Sequence, residues 1–227
     1  MTRQAKKDHE RFFAEQAARS LGKNWSFNES IEQPDFIVTE AGHRFGLEVM
    51  DIFTGPQTHS GSSLKASESV TQNDINIMQR KYEAKANTSL HVRFVGMMNT
   101  NNMSKVLPAL LTEDFQSKPI SYHTVIDTDG GLRVHVTKSL RPDWFSVNHR
   151  VGFVDRDSNV VIRAAVAKKA KLLATYQKVA GTDIRLLLVA NRIYNSGKLN
   201  ALVEGKFNLE GFSAVYFFPY PEKAISL

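Results

Sequence analysis

Near the start of the chain apolar residues return at helical spacing. Phe13, Ala14, Ala17 and Leu21 form one stripe, which predicts a helix from about Gln4 to Leu21 with Gly22 as its stop. "WSFNESI" then reads as a short strand, followed by two apolar runs, one opened by Asp35 and the other containing Glu48, with Ala41 to Arg44 as the turn between them. "TGPQTHSGSS" reads as a loop from its Gly, Pro and Ser content. "VTQNDINIMQRKYEAKA" predicts a second helix with Ile75, Met78, Tyr82 and Lys85 in sequence. "MSKVLPALLTEDF" predicts a third, with a break expected at Pro108 because proline removes a helical N–H.

Strict alternation marks two further strands. In "SLHVRFVGM" Leu90, Val92 and Phe94 face one way and His91 and Arg93 the other; in "GGLRVHVTKSL" Arg133, His135 and Thr137 face outward. The two strands therefore offer matching basic faces, which an ordinary solvated sheet face also explains. "NVVIRAAVAKKAKLLATYQKV" is the strongest helical pattern, capped by Ser158 or Asn159 and followed by Gly181. "DIRLLLVA" is apolar almost throughout, as a strand covered on both faces must be, and "FSAVYFFP" reads as a last strand ended by Pro219. The order predicts one α/β domain over residues 1–227, a mixed sheet flanked by helices, with a large insertion at about 54–157 after the third strand.

Composition narrows the class. The chain has 227 residues, 42% hydrophobic and 23% charged, enough for a large core, and no run suited to crossing a bilayer. The basic start "MTRQAKKDHERFF" lacks the apolar stretch of a signal peptide, so a cytoplasmic protein is expected. The absence of cysteine excludes disulfides and thiolate metal sites. None of the seven histidines (His9, His43, His59, His91, His123, His135, His149) falls in an HxH or HExxH pattern, which argues against zinc. The net charge of +6 tilts toward a polyanionic partner, and Arg163, Lys168, Lys169, Lys171 and Lys178 concentrate it on one predicted helix.

The unusual feature lies in "PDFIVTEAGHRFGLEVMDI", where Asp35 and Glu48 sit in strands that should be buried. An unpaired buried carboxylate is costly, so a lysine, an arginine or a metal ion should meet them. Glu10, one turn before Phe13 on the apolar stripe of the first helix, would join them at one sheet end, whereas Glu15 lies off that stripe. Such oxygen donors suit Mg²⁺, which can activate water and polarise a phosphodiester.

"PDF" followed by "GLEV", and later by a lysine-bearing helix and an apolar strand, resembles the PD-(D/E)xK superfamily, the restriction-endonuclease-like nucleases. The resemblance implies hydrolysis of nucleic acid, DNA ahead of RNA, with Mg²⁺ or Mn²⁺; a homodimer is compatible with it. Asp35, Glu48 and the Val49 carbonyl would bind metal, Glu10 would hold a metal water, and a lysine would assist the nucleophile. The family's lysine stands two residues after the glutamate, where this chain has Met50. Members of the fold also draw that lysine from the neighbouring helix. Ile162, Val166, Leu173 and Tyr176 mark the inward stripe there, and Lys169 falls on it, ahead of Lys168. The rival reading is a nuclease fold without catalysis that binds nucleic acid or a protein partner, its carboxylates held in structural ion pairs with Arg44 or Lys169.

Overall fold

The computed structural model describes residues 3–29, 33–55, 57–58, 61–147, 158–200 and 207–227. Ser30 and Ile31 of the expected first strand, Pro56, His59 and Ser60 of the expected loop, His149 and the expected insertion end at Asp157 lie outside them. The chain forms two compact units, Met1–Pro56 with Phe153–Leu227, and Gln57–Gly152.

In the first unit the early apolar stripe produces helix α1 (Arg3–Ser20), which buries Phe13, Ala14, Ala17 and Ala18. Strands β1 (Ser26–Glu29), β2 (Phe36–Glu40) and β3 (His43–Asp51) follow. The β2–β3 turn is tighter than the sequence suggested. It consists of Ala41 and Gly42 alone, both with positive φ (48° and 82°), the backbone that two-residue hairpin turns require. His43 and Arg44 consequently belong to β3, opposite Glu40 and Thr39.

The second unit begins with the short strands β4 (Gln57–Thr58) and β5 (Gly61–Ser62), where a loop was expected. The Ser62 hydroxyl accepts from the Lys65 N–H and caps α2 (Ser63–Glu83), which starts seven residues before Val70 and ends before Lys85. Strand β6 (Leu90–Gly96) precedes α3 (Thr100–Thr112), which runs through Pro108 without the expected break. The chain then forms β7 (His123–Asp127), β8 (Leu132–Lys138) and β9 (Asp143–Val147), and the sheet order is β7-β8-β6-β9. Its core joins Leu90, Val92, Phe94, Leu132, Val134 and Val136 to Ile75, Met78 and Tyr82 of α2 and Val106 and Leu110 of α3.

Back in the first unit, the strong basic pattern yields two helices, α4 (Ser158–Ala170) and α5 (Leu173–Ala180). Lys171 and Leu172 form the turn between them, and Gly181 (φ 83°) ends α5 as expected. Ser158 and Asn159 both fall within α4, and the Ser158 hydroxyl accepts from the Asn200 N–H. Strands β10 (Ile184–Val189), β11 (Ala214–Phe218) and β12 (Ile225–Ser226) complete a mixed six-stranded sheet of order β1-β2-β3-β10-β11-β12. Tyr216, Phe217 and Phe218 of β11 are core residues.

Alternation explains the layering of this sheet. Leu187 and Val189 of β10 pack with Phe36, Leu47 and Val49 on the side of Phe13, Ala14 and Ala17 of α1. Leu186 and Leu188 pack with Ile162, Val166 and Tyr176 of α4 and α5 on the other. Gly46 allows α5 to come close to β3. A Cβ there would lie 2.7 Å from the Ala180 Cβ and 2.8 Å from Pro34 Cγ.

Candidate functional site

Strand register brings the two carboxylates together. Phe36 pairs with Leu47, so Asp35, one residue before β2, stands opposite Glu48. Glu48 shares the α4/α5 face of the sheet with Leu186, its neighbour on β10. Only 3% of Glu48 and 7% of Asp35 is exposed, and Glu10 of α1 is equally withdrawn at 5%.

Cations meet all three. The Lys169 Nζ donates to Glu48 Oε1 at 2.5 Å, spanning from α4 to β3. Lys7 of α1 donates to Asp35 Oδ1 at 3.0 Å and lies 3.6 Å from Glu10 Oε2. Lys6, one residue earlier, pairs with Glu10 Oε1 at 3.1 Å. Asp35 Oδ2 accepts the Val49 N–H at 2.9 Å. The nearby His9 and Asp51 form a further pair at 2.9 Å.

The electrostatics are strained at one point. Burial, and then the Asp35 charge, push the Glu48 carboxyl above the usual glutamate range, against the pull of Lys169. Its Oε2 is buried without a hydrogen bond, as is Glu10 Oε2. The Tyr176 hydroxyl lies beside Glu48 but short of a well-formed bond; burial and then the Glu48 charge raise its pKa. The hydrogen bond to Glu10 raises that of Lys6.

Of Lys168, Lys169 and Lys171, Lys169 is turned to Glu48, while the other two are exposed. Glu15 lies near Arg11 and Arg19 on the outer side of α1, apart from the cluster. Met50 is partly buried among the apolar residues under α4 and α5. Arg44, offered from sequence as a structural partner, is exposed; Lys7 and Lys169 hold the carboxylates instead. Lys6 and Lys7 went unread in "KKDHE", although their spacing four and three residues before Glu10 is that of helical ion pairs.

Among the described residues, no group of three or more His, Asp or Glu side chains is arranged to hold a metal ion. The donor chemistry nonetheless fits a hard cation: Asp35 and Glu48 adjoin, and Glu48 Oε2 is an orphaned anionic oxygen. Backbone geometry adds a third donor. Gly46 and Ile52 donate to Asp183 and Val189 on the β10 side, whereas Val49 donates toward Asp35. N–H and C=O of one strand residue point to the same edge, so the Val49 carbonyl also points to the Asp35 side.

Comparison with family models, with characterised proteins and with solved structures finds no match to this chain. The chain is α/β, with mixed sheets flanked by helices, and no described helix is long and apolar enough to cross a membrane.

Proposed function

We propose that the protein hydrolyses phosphodiester bonds of nucleic acid, DNA ahead of RNA, at a restriction-endonuclease-like site of the PD-(D/E)xK type. One observation carries this reading: Lys169 reaches Glu48 from α4 while Met50 occupies the position of the family's lysine. A buried glutamate, an adjoining aspartate and a lysine supplied from the adjacent helix are the parts such a site needs.

Asp35, Glu48 and the Val49 carbonyl would hold Mg²⁺ or Mn²⁺, which supplies Lewis acidity toward the phosphodiester. Glu10, at the same sheet end, orients water through its orphaned Oε2. Lys169 has its ammonium at the carboxylates, where it positions a nucleophilic water and offsets the negative charge that grows on phosphorus. Lys7 neutralises Asp35 when no cation is present.

The same ion pairs favour a second reading. Lys7 and Lys169 already neutralise Asp35 and Glu48, as they would in a nuclease fold that binds nucleic acid or protein without cleaving. Incubation of the purified protein with single-stranded and duplex DNA and RNA, with Mn²⁺ or with EDTA, separates the two. Metal-dependent cleavage lost in Asp35→Ala supports the nuclease; no cleavage of any substrate by wild type favours the inactive fold.

A further inference from the structure

The sheet of residues 57–152 buries one face beneath α2 and α3, and no described helix of that unit covers the other. Strand register determines what the uncovered face displays. Val125, His135, Arg93 and Phe145 form one row across β7, β8, β6 and β9. With neighbouring strands about 4.8 Å apart, that row is about 14 Å long. His123 and His91 belong to the next row, and Arg133 to the row beyond His135.

The rings form two groups. His123 and His135 are stacked with centroids 5.6 Å apart, and His91 meets Phe145 edge-on at 5.4 Å. Arg93, directly opposite both His135 and Phe145, is exposed, as is Arg133, which pairs with Asp127 at 3.0 Å. Asp127 and Asp143 are the acids on this face. Arg93 and Arg133 balance these two acids in formal charge, and Arg93 is the guanidinium that faces no acid on either neighbouring strand. Burial, and then the neighbouring Arg93, His123 and Arg133, push the His135 imidazole below the usual histidine range. That ring, in its neutral form, and the ring of Phe145 lie directly on either side of the exposed Arg93.

We propose that this open sheet face binds single-stranded nucleic acid, with bases on Phe145 and the imidazoles and phosphates at Arg93 and Arg133. Unpaired bases present π-faces that stack on aromatic rings and guanidinium planes, and an exposed guanidinium also meets their phosphates. A duplex hides those π-faces, and this surface has no projecting helix or ribbon to enter a groove. The proposal rests on the nuclease reading for its substrate class and names the strandedness of that substrate.

Binding is measured apart from cleavage, by fluorescence anisotropy of the full-length protein in EDTA with labelled oligothymidylate and with a labelled hairpin duplex. The single strand should bind more tightly than the duplex. Phe145→Ala and Arg93→Glu should each weaken single-strand binding by about tenfold, the scale of one lost base stack. Lys105→Ala, on α3 over the opposite face, should leave it unchanged, and thermal melting reports folding of each variant. Should Phe145→Ala disturb the sheet, the exposed Arg93→Glu carries the test alone.

Unaltered single-strand binding by folded Arg93→Glu overturns the proposal. Equal binding of duplex and single strand overturns the strandedness, and polyglutamate binding with no oligonucleotide binding assigns the face to an acidic protein partner. Wild type that binds single strands through this face yet never cleaves sinks the nuclease reading alone. Cleavage lost in Asp35→Ala but binding indifferent to Arg93→Glu sinks this proposal alone.

Discussion

The two larger sheets among the described residues treat polar side chains in opposite ways. The six-stranded sheet has helices on both faces and buries Glu10, Asp35 and Glu48, each against a lysine. The four-stranded sheet is covered on one face, and its His and Arg side chains spread over the other. A charge taken out of water must be held at short range by specific partners, so the first arrangement is compact and sensitive to single changes. Charges left in water are screened and act in sum, so the second tolerates change and responds to salt.

The most severe test of that contrast is removal of a buried carboxylate. Asp35→Ala and Glu48→Ala should reduce cleavage to background while the chain remains folded, as judged by circular dichroism and nuclease assay together. Unfolding of both variants under conditions where wild type is intact would make the carboxylates structural.

Lys169→Ala should lower the cleavage rate by about two to three orders of magnitude, the usual scale for one electrostatic contact to a transition state. Mn²⁺ binding, followed by calorimetry, should persist. Met50 and Glu48 share a strand face, so Met50→Lys in the Lys169→Ala background should restore part of the activity. Full activity in Lys169→Ala alone would move the role to Lys168.

A third test concerns pH. The folded-state pKa of Glu48 lies above its unfolded value, so the folded chain retains a proton that the unfolded chain releases. Stability of the metal-free protein should therefore fall as pH rises from the ordinary glutamate range through the raised value, then level off. Glu48→Gln removes this slope. The stability of wild type minus that of the variant, from urea midpoints at several pH values, should decline across that window; a constant difference would show that the carboxylate is not strained.

The smallest effect belongs to the solvated charges. Lys171→Ala, at the exposed turn between α4 and α5, should change nucleic-acid binding only slightly and mainly at low salt, in a titration at two salt concentrations. A loss as large as that in Lys169→Ala would erase the distinction between buried and surface cations in this part of the chain.

How legible these regions were in the sequence follows from the same physics. Asp35 and Glu48 stood out because carboxylates interrupt apolar runs, and Lys169 because a cation lay on an apolar stripe. Lys7 was missed because it contacts Asp35, 28 residues away, and only the packing of α1 against the sheet makes them neighbours. The break at Lys171–Leu172 was hidden because helical spacing continues through it to Tyr176. In β7 and β9 the inward residues Thr124, Ile126, Trp144 and Ser146 mix polar with apolar, which blurs the alternation seen so clearly in β6 and β8. Histidine spacing likewise gave no hint that His123 and His135 would stack across two strands.

The pairing of β3 with β10 also governs the order in which the chain can mature. Leu47 needs Arg185 as its neighbour, and the whole of Gln57–Gly152 is made between them. During synthesis β3 therefore emerges with one edge unsatisfied, while the apolar core of Gln57–Gly152 is complete in its own sequence. Bringing such distant segments together is slow compared with local contacts. A ribosome-bound chain halted before α4 would carry Asp35 and Glu48 without Lys169, so Glu48 acquires its α4 cation only after the whole of Gln57–Gly152 has been made.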